Sequence, residues 1–150
     1  MVWLECLRLY PPVTLFVSRE TSENFPLDDG TVIEKGTIVQ APVFQIQRDP
    51  ILFPEPDKFD PERFDPELRK GMHPMSFLAF GAGPRVCLGS SLATYEGKII
   101  AKNILSRYRI TPVTQGDIQI ISSTVFIHPK GKVPLRFTPL NPSDPVILDP

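Results

Sequence analysis

Ten residues, Phe80 to Gly89 (FGAGPRVCLG), gather one thiol, one guanidinium, one aromatic ring and three glycines. A cysteine sulfur acts as a metal ligand or nucleophile as its thiolate. The N–H groups of a glycine-rich loop and the positive end of a following helix stabilise that anion. A helix is expected from Ser90, so Cys87 has both devices beside it. Gly81, Gly83 and Gly89 let the backbone approach a large planar group with no Cβ in the way. Arg85, two residues before Cys87, is placed to pair with a carboxylate, by two parallel bonds where geometry allows. Phe80 is placed to cover the sulfur and keep water off it.

The surrounding sequence narrows the chemistry. Neither the other cysteine nor a histidine stands at ligand spacing from Cys87, which argues against a zinc site or an iron–sulfur cluster. His73 and His128 read as loop residues. Cys6, between Glu5 and Leu7, reads as a small core residue, and nothing favours its pairing with Cys87. One thiolate with an arginine and an aromatic suits a single axial bond to haem iron. A buried structural cysteine in a glycine-rich loop is the competing reading.

Elements must hold this loop in place. Residues 2–9 read as a short helix with Leu4, Leu7 and Leu9 apolar, stopped by Pro11 and Pro12. Residues 13–40 read as short strands, with turns at LDDG (27–30) and EKG (34–36). A brief helical stretch is expected over 42–47. In 48–67 five prolines break any regular element, and Phe53, Phe59 and Phe64 are expected to anchor this meander to a core. Residues 68–76 read as a polar loop. A long helix is expected over 90–108, with Leu92, Ile99, Ile100, Ile104 and Tyr108 on its apolar face. Ala93, Gly97 and Ala101 make a small-residue line along it. Gly97 costs about 1 kcal/mol against alanine in mid-helix, which close approach of another helix or a flat ligand would explain, as would chance. A hairpin around HPKG (128–131) is expected to pair Ile118, Ile120 and Ile121 with Val133, Leu135 and Phe137. Residues 1–140 read as one unit and 141–150 as a loose tail.

Composition sets the outer bounds. The chain has 150 residues, 41% hydrophobic, with a net charge of -1. That is enough for one domain with a core. The charge balance gives no reason to expect a nucleic-acid partner or a polybasic membrane patch. No apolar run reaches the roughly 18 residues of a membrane span, and the N-terminus does not read as a signal peptide. Two cysteines do not make a disulfide scaffold. The 18 prolines, spread along the chain, point to long ordered loops.

FGAGPRVCLG resembles the haem-binding signature of the cytochrome P-450 family, Phe-x-x-Gly-x-Arg-x-Cys-x-Gly, with Phe80, Gly83, Arg85, Cys87 and Gly89 at every fixed position. Two further stretches resemble the family in the right order: ECLR (5–8), like its Glu-x-x-Arg helix, and PERF (61–64) in the meander. The resemblance implies an α+β fragment of the mainly α P-450 fold: short helix, β-hairpins, Pro-rich meander, Cys haem loop, long helix and C-terminal hairpin. It implies haem b (iron protoporphyrin IX) on Cys87 as proximal ligand, Arg85 as a propionate partner, and Glu5, Arg8 and Arg63 as a structural triad. Arg19 falls where the family often places a second propionate partner; a surface arginine near Glu20 is the even alternative. Val13, Thr14, Leu15 and Phe16, and Thr124, Val125 and Phe126, resemble substrate-lining segments, and read equally as plain core.

By resemblance the activity is monooxygenation: one oxygen atom of dioxygen enters a small organic substrate, with electrons from a reductase. For the full-length parent the resemblance implies the endoplasmic reticulum membrane, reached through an N-terminal anchor. Arg69, Lys70 and Lys98 are candidates for the electron donor's contact. The resemblance covers the C-terminal portion of the family's sequence. The family's long central helix, with its acid-threonine pair, has no counterpart in these residues, so the chain reads as a truncated product or partial gene model with little activity of its own. The alternative from another class is a non-catalytic haem-binding or interaction fragment.

Overall fold

A computed structural model describes residues 1–13, 17–113, 116, 118–123 and 126–141. The chain opens with α1 (Val2–Leu9). Its end is closed by the Tyr10 amide donating to the Cys6 carbonyl at 2.7 Å, and Pro11 then forbids a further turn.

Two nested strand pairs follow. β1 (Val17–Glu20) pairs antiparallel with β4 (Ile38–Ala41), Arg19 opposite Val39. Between them β2 (Phe25–Pro26) pairs with β3 (Val32–Ile33). The turn at 27–30 needs Gly30 at φ 87°, and Asp29 Oδ1 accepts the Thr31 amide at 2.9 Å. That bond holds the Asp29 carboxyl below the usual range. A four-residue helix, α2 (Val43–Ile46), leads into the meander.

The meander is more regular than its prolines suggest. Pro61 starts a 3-10 turn (Pro61–Phe64) and Pro66 starts α3 (Pro66–Arg69). Proline is tolerated at a first helical position because that N–H has no partner there anyway. Asp60 and Asp65 cap the two starts, accepting the amides of Glu62 and Glu67. Phe53 and Phe64 are buried as expected, but Phe59 is exposed. The carbonyls of Pro56 and Lys58 turn inward to Arg8, and the Phe59 ring beside them is left outside.

The long helix α4 runs Ser90–Leu105 and stops short of Tyr108. Tyr108 instead begins β5 (Tyr108–Pro112), which pairs with β8 (Leu135–Pro139) and sets Tyr108 edge-on to Phe137. β6 (Ile120–Ser123) pairs with β7 (Phe126–Pro129). The expected hairpin around HPKG therefore does not form. The chain bends there, with Gly131 at φ 91°, but the strands on its two sides choose different partners. Alternation marks a strand without naming its neighbour.

The core is small: Leu7, Leu9, Val43, Phe53, Phe64 and Leu78. It lies between α1, the segment from α2 to the 3-10 turn, and the residues just before the cysteine loop. No residue of α4 is fully buried; of its expected apolar face Leu92, Ile99 and Ile100 are exposed and Ile104 is half-buried. Gly97 faces α1: a Cβ there would overlap the Trp3 ring, so close approach of another helix accounts for that glycine. The tail expected over 141–150 lies outside the described residues apart from Asn141.

Candidate functional site

Glu5 and Arg8 are three residues apart on α1 and both are fully buried. Burying two charges is costly unless every donor and acceptor finds a partner. Here each does. Arg8 Nε donates to Glu5 Oε2 at 2.7 Å and Nη2 to Glu5 Oε1 at 2.8 Å, a two-bond fork. Nη1 donates to the carbonyls of Gln47 and Pro56, and Nη2 also to that of Lys58. The five N–H groups of the guanidinium thus meet five acceptors. Glu5 Oε1 further accepts the Asp60 amide at 2.8 Å.

Arg63 joins this knot at longer range. Its Nε stands 3.6 Å from Glu5 Oε1, near enough for charge attraction but without a hydrogen bond, and its Nη2 donates to the Glu55 carbonyl. The structure therefore brings Glu5, Arg8 and Arg63 together. Cys6, on the adjoining face, is half-buried, and burial, aided by the Glu5 charge, pushes its thiol up from the ordinary range.

Two neighbours escaped the sequence reading. Gln47 is fully buried, and Arg48 donates to the Leu9 carbonyl, pairs with Asp57 and lies 3.8 Å above the Phe44 ring. Burial lowers the Arg48 guanidinium from its usual value. No sequence motif announces either; the one available signal is a Gln–Arg pair directly after an apolar helical turn.

The cysteine loop departs from the core at Leu78. Gly81 and Gly83 both sit at φ 72°, a region that residues with a Cβ rarely adopt. A short 3-10 turn (Gly83–Arg85) follows, and the Cys87 amide closes the loop on the Phe80 carbonyl at 2.8 Å. Gly89 caps α4, and a Cβ on it would lie 4.0 Å from the Cys87 sulfur. Cys87 is exposed and both cysteines are free.

Cys87, Arg85 and Phe80 share a cavity of about 410 Å³, lined otherwise mostly by apolar residues such as Pro12, Val13, Val17 and Leu78. Arg19 and Gly83 line a neighbouring cavity of about 400 Å³, and Arg19 Nη2 reaches the Ala82 carbonyl at 3.5 Å. Phe126 bridges to Val13 and is exposed. Thr14, Leu15, Phe16, Thr124 and Val125 lie outside the described residues.

This donor set is one sulfur. No cluster of three or more His, Cys, Asp or Glu side chains that could hold a metal occurs among the described residues. A bare ion would be poorly held by one thiolate. A metal already carried by a flat macrocycle needs only one axial bond from the protein, and the glycine backbone and apolar walls leave room for it.

A sequence model of the family described as cytochrome P450 matches residues 1–136. The chain belongs to the cytochrome P450 family. It is 39% identical over 122 residues to cytochrome P450 9e2 of Blattella germanica, which covers 80% of this chain and 23% of that protein. It is 43% identical over 108 residues to leukotriene-B4 omega-hydroxylase 3 of Mus musculus, covering 72% of this chain and 20% of that one. In shape it is similar to the retinoic acid-bound cyanobacterial CYP120A1, with a TM-score of 0.82 and 31% identity over 93% of this chain and 32% of that chain. The chain thus spans about a fifth to a quarter of the length of these curated relatives. The fold is an α+β fragment of the P450 fold, and proteins of the family bind haem b.

Proposed function

We propose that the chain supplies the cysteine-bearing side of a haem-thiolate monooxygenase, which inserts one oxygen atom of dioxygen into a small organic substrate. The observation that carries this reading is the Cys87 sulfur, set between left-handed glycines and the start of α4 and opening onto an apolar cavity. Cys87 would hold haem b by its thiolate, with Phe80, Gly83 and Gly89 shaping the approach and Arg85 and Arg19 pairing with the propionates. Bound there, haem supplies the redox and dioxygen chemistry, and an electron-donating thiolate favours O–O cleavage. Pro12, Val13 and Val17 hold water away from one side of the cavity.

Val13 and Phe126, with Thr14–Phe16 and Thr124–Val125, are proposed to touch substrate. Leukotriene hydroxylation and retinoic acid binding in two relatives support an apolar organic molecule. A reductase as electron donor, and the endoplasmic reticulum membrane as location, follow from the same reading; no helix among the described residues is long and apolar enough to cross a membrane. The exposure of Cys87 and Leu88 favours a second reading for the chain by itself, a haem-binding piece that does not turn over, since open sites lose the benefit of excluding water.

The chain loaded with hemin, reduced and exposed to carbon monoxide, should show the red-shifted Soret band of thiolate ligation, and Cys87→Ala should remove it. A nitrogen- or water-ligated spectrum, unchanged in that variant, overturns the assignment.

A further inference from the structure

Gln47 is buried without exposure at the junction of three segments. Its side-chain amide uses both ends. Nε2 donates to the Leu7 carbonyl at 3.1 Å and to the Arg8 carbonyl at 2.9 Å, and Oε1 accepts the Leu78 amide at 2.8 Å. Its backbone carbonyl accepts Arg8 Nη1. The two carbonyls belong to the last turn of α1, which has no intrahelical donors left to offer them. The Leu78 amide opens the segment that becomes the cysteine loop. From there the path is short: the Leu78 carbonyl accepts the Gly81 amide, and the Phe80 carbonyl accepts the Cys87 amide.

We propose that Gln47 is a positioning residue for Cys87. One amide group ties the end of the charged helix to the first strut of the cysteine loop, and so fixes the height of the sulfur over the core. Hydrophobic contact through Leu78 resists separation but tolerates sliding; a two-ended hydrogen-bonded amide resists both, because a shift of either segment strands a buried donor or acceptor. The geometric claim stands on the chain alone; its bearing on haem rests on the reading of Cys87 given above.

The test is amide hydrogen exchange on the full chain. Gln47→Met keeps length and bulk but offers no donor and only a weak acceptor. We expect the Leu78 and Cys87 amides to exchange about tenfold faster, the loss of roughly one buried hydrogen bond. The Phe53 amide, bonded to Asp49 in the same core, should change much less. Gln47→Glu keeps an acceptor for Leu78, and at a pH where its carboxyl is protonated also one donor, and should there restore most of the protection. Equal acceleration at Phe53 and Leu78, or none at Leu78, overturns the proposal. If Gln47→Met does not fold, Gln47→Asn decides: it keeps both amide groups but is too short to span the two segments, so the Leu78 and Cys87 amides must exchange faster while Phe53 does not, and unchanged protection sinks the idea. With hemin and carbon monoxide, Gln47→Met should lower the thiolate-ligated share relative to the parent chain. A parent chain with no thiolate band would fail the haem reading, and the exchange result would still judge the amide tie.

Discussion

The α1–meander knot and the Cys87–α4 half of the chain are built on opposite terms. In the first, a buried ion pair, a buried amide and five carbonyls satisfy one another behind Phe53 and Phe64. In the second, the cysteine is exposed, Leu88 is 101% exposed and a 16-residue helix buries no side chain fully. The difference teaches where rigidity comes from. A loop with two left-handed glycines cannot hold its own shape by packing, so its fixed points must lie at its base. Leu78 is that base, and it is anchored in the knot.

The largest break in this contrast should come from the knot. Arg8→Met leaves Glu5 charged and buried with three carbonyls unpaired, and removal of one partner of such a pair costs about 3–5 kcal/mol. Urea titration should show a midpoint lowered to the edge of unfolding; a shift as small as that of an exposed residue would refute the closed-knot picture. Next comes the seam between the halves. Gly97→Ala drives a methyl into Trp3, and overpacking of this sort costs about 1–3 kcal/mol, read in the same titration. On the open side, Ile100→Gln should alter stability by no more than about 0.5 kcal/mol, since the helix face meets solvent.

The finest test compares the two thiols. Burial raises the Cys6 thiol, so the folded chain holds that proton more tightly than the unfolded one. Stability is then full below the ordinary thiol range and declines as pH rises through the raised value. Alkylation should label Cys87 first at neutral pH and reach Cys6 only at higher pH or on unfolding; equal rates at both would erase the distinction.

The same contrast explains what could be read in advance. Local signals were legible: Pro11 after Tyr10 ends α1, glycines mark the turns at Gly30 and Gly36, and the loop from Phe80 to Gly89 announces its chemistry by residue type. Pairings across long separations were not. Nothing in Ile120 or Leu135 says that one strand joins β7 and the other β5. Gln47 carries no motif because its importance lies in three backbone groups, and any residue can supply those. The spacing of Tyr108 suits the helix, yet pairing with β8 outweighs that local preference.

Arg8 finds its carbonyl partners between Gln47 and Lys58, all of them made before the cysteine loop. During synthesis the chain emerges N-terminus first, at about 5–20 residues per second, so the guanidinium must wait for these partners and then has them before Cys87 leaves the ribosome. The expected order of assembly is foundation first and reactive sulfur last. Nascent chains arrested at a length where Lys58 has cleared the ribosome and Cys87 has not should already protect the Arg8 region from proteolysis.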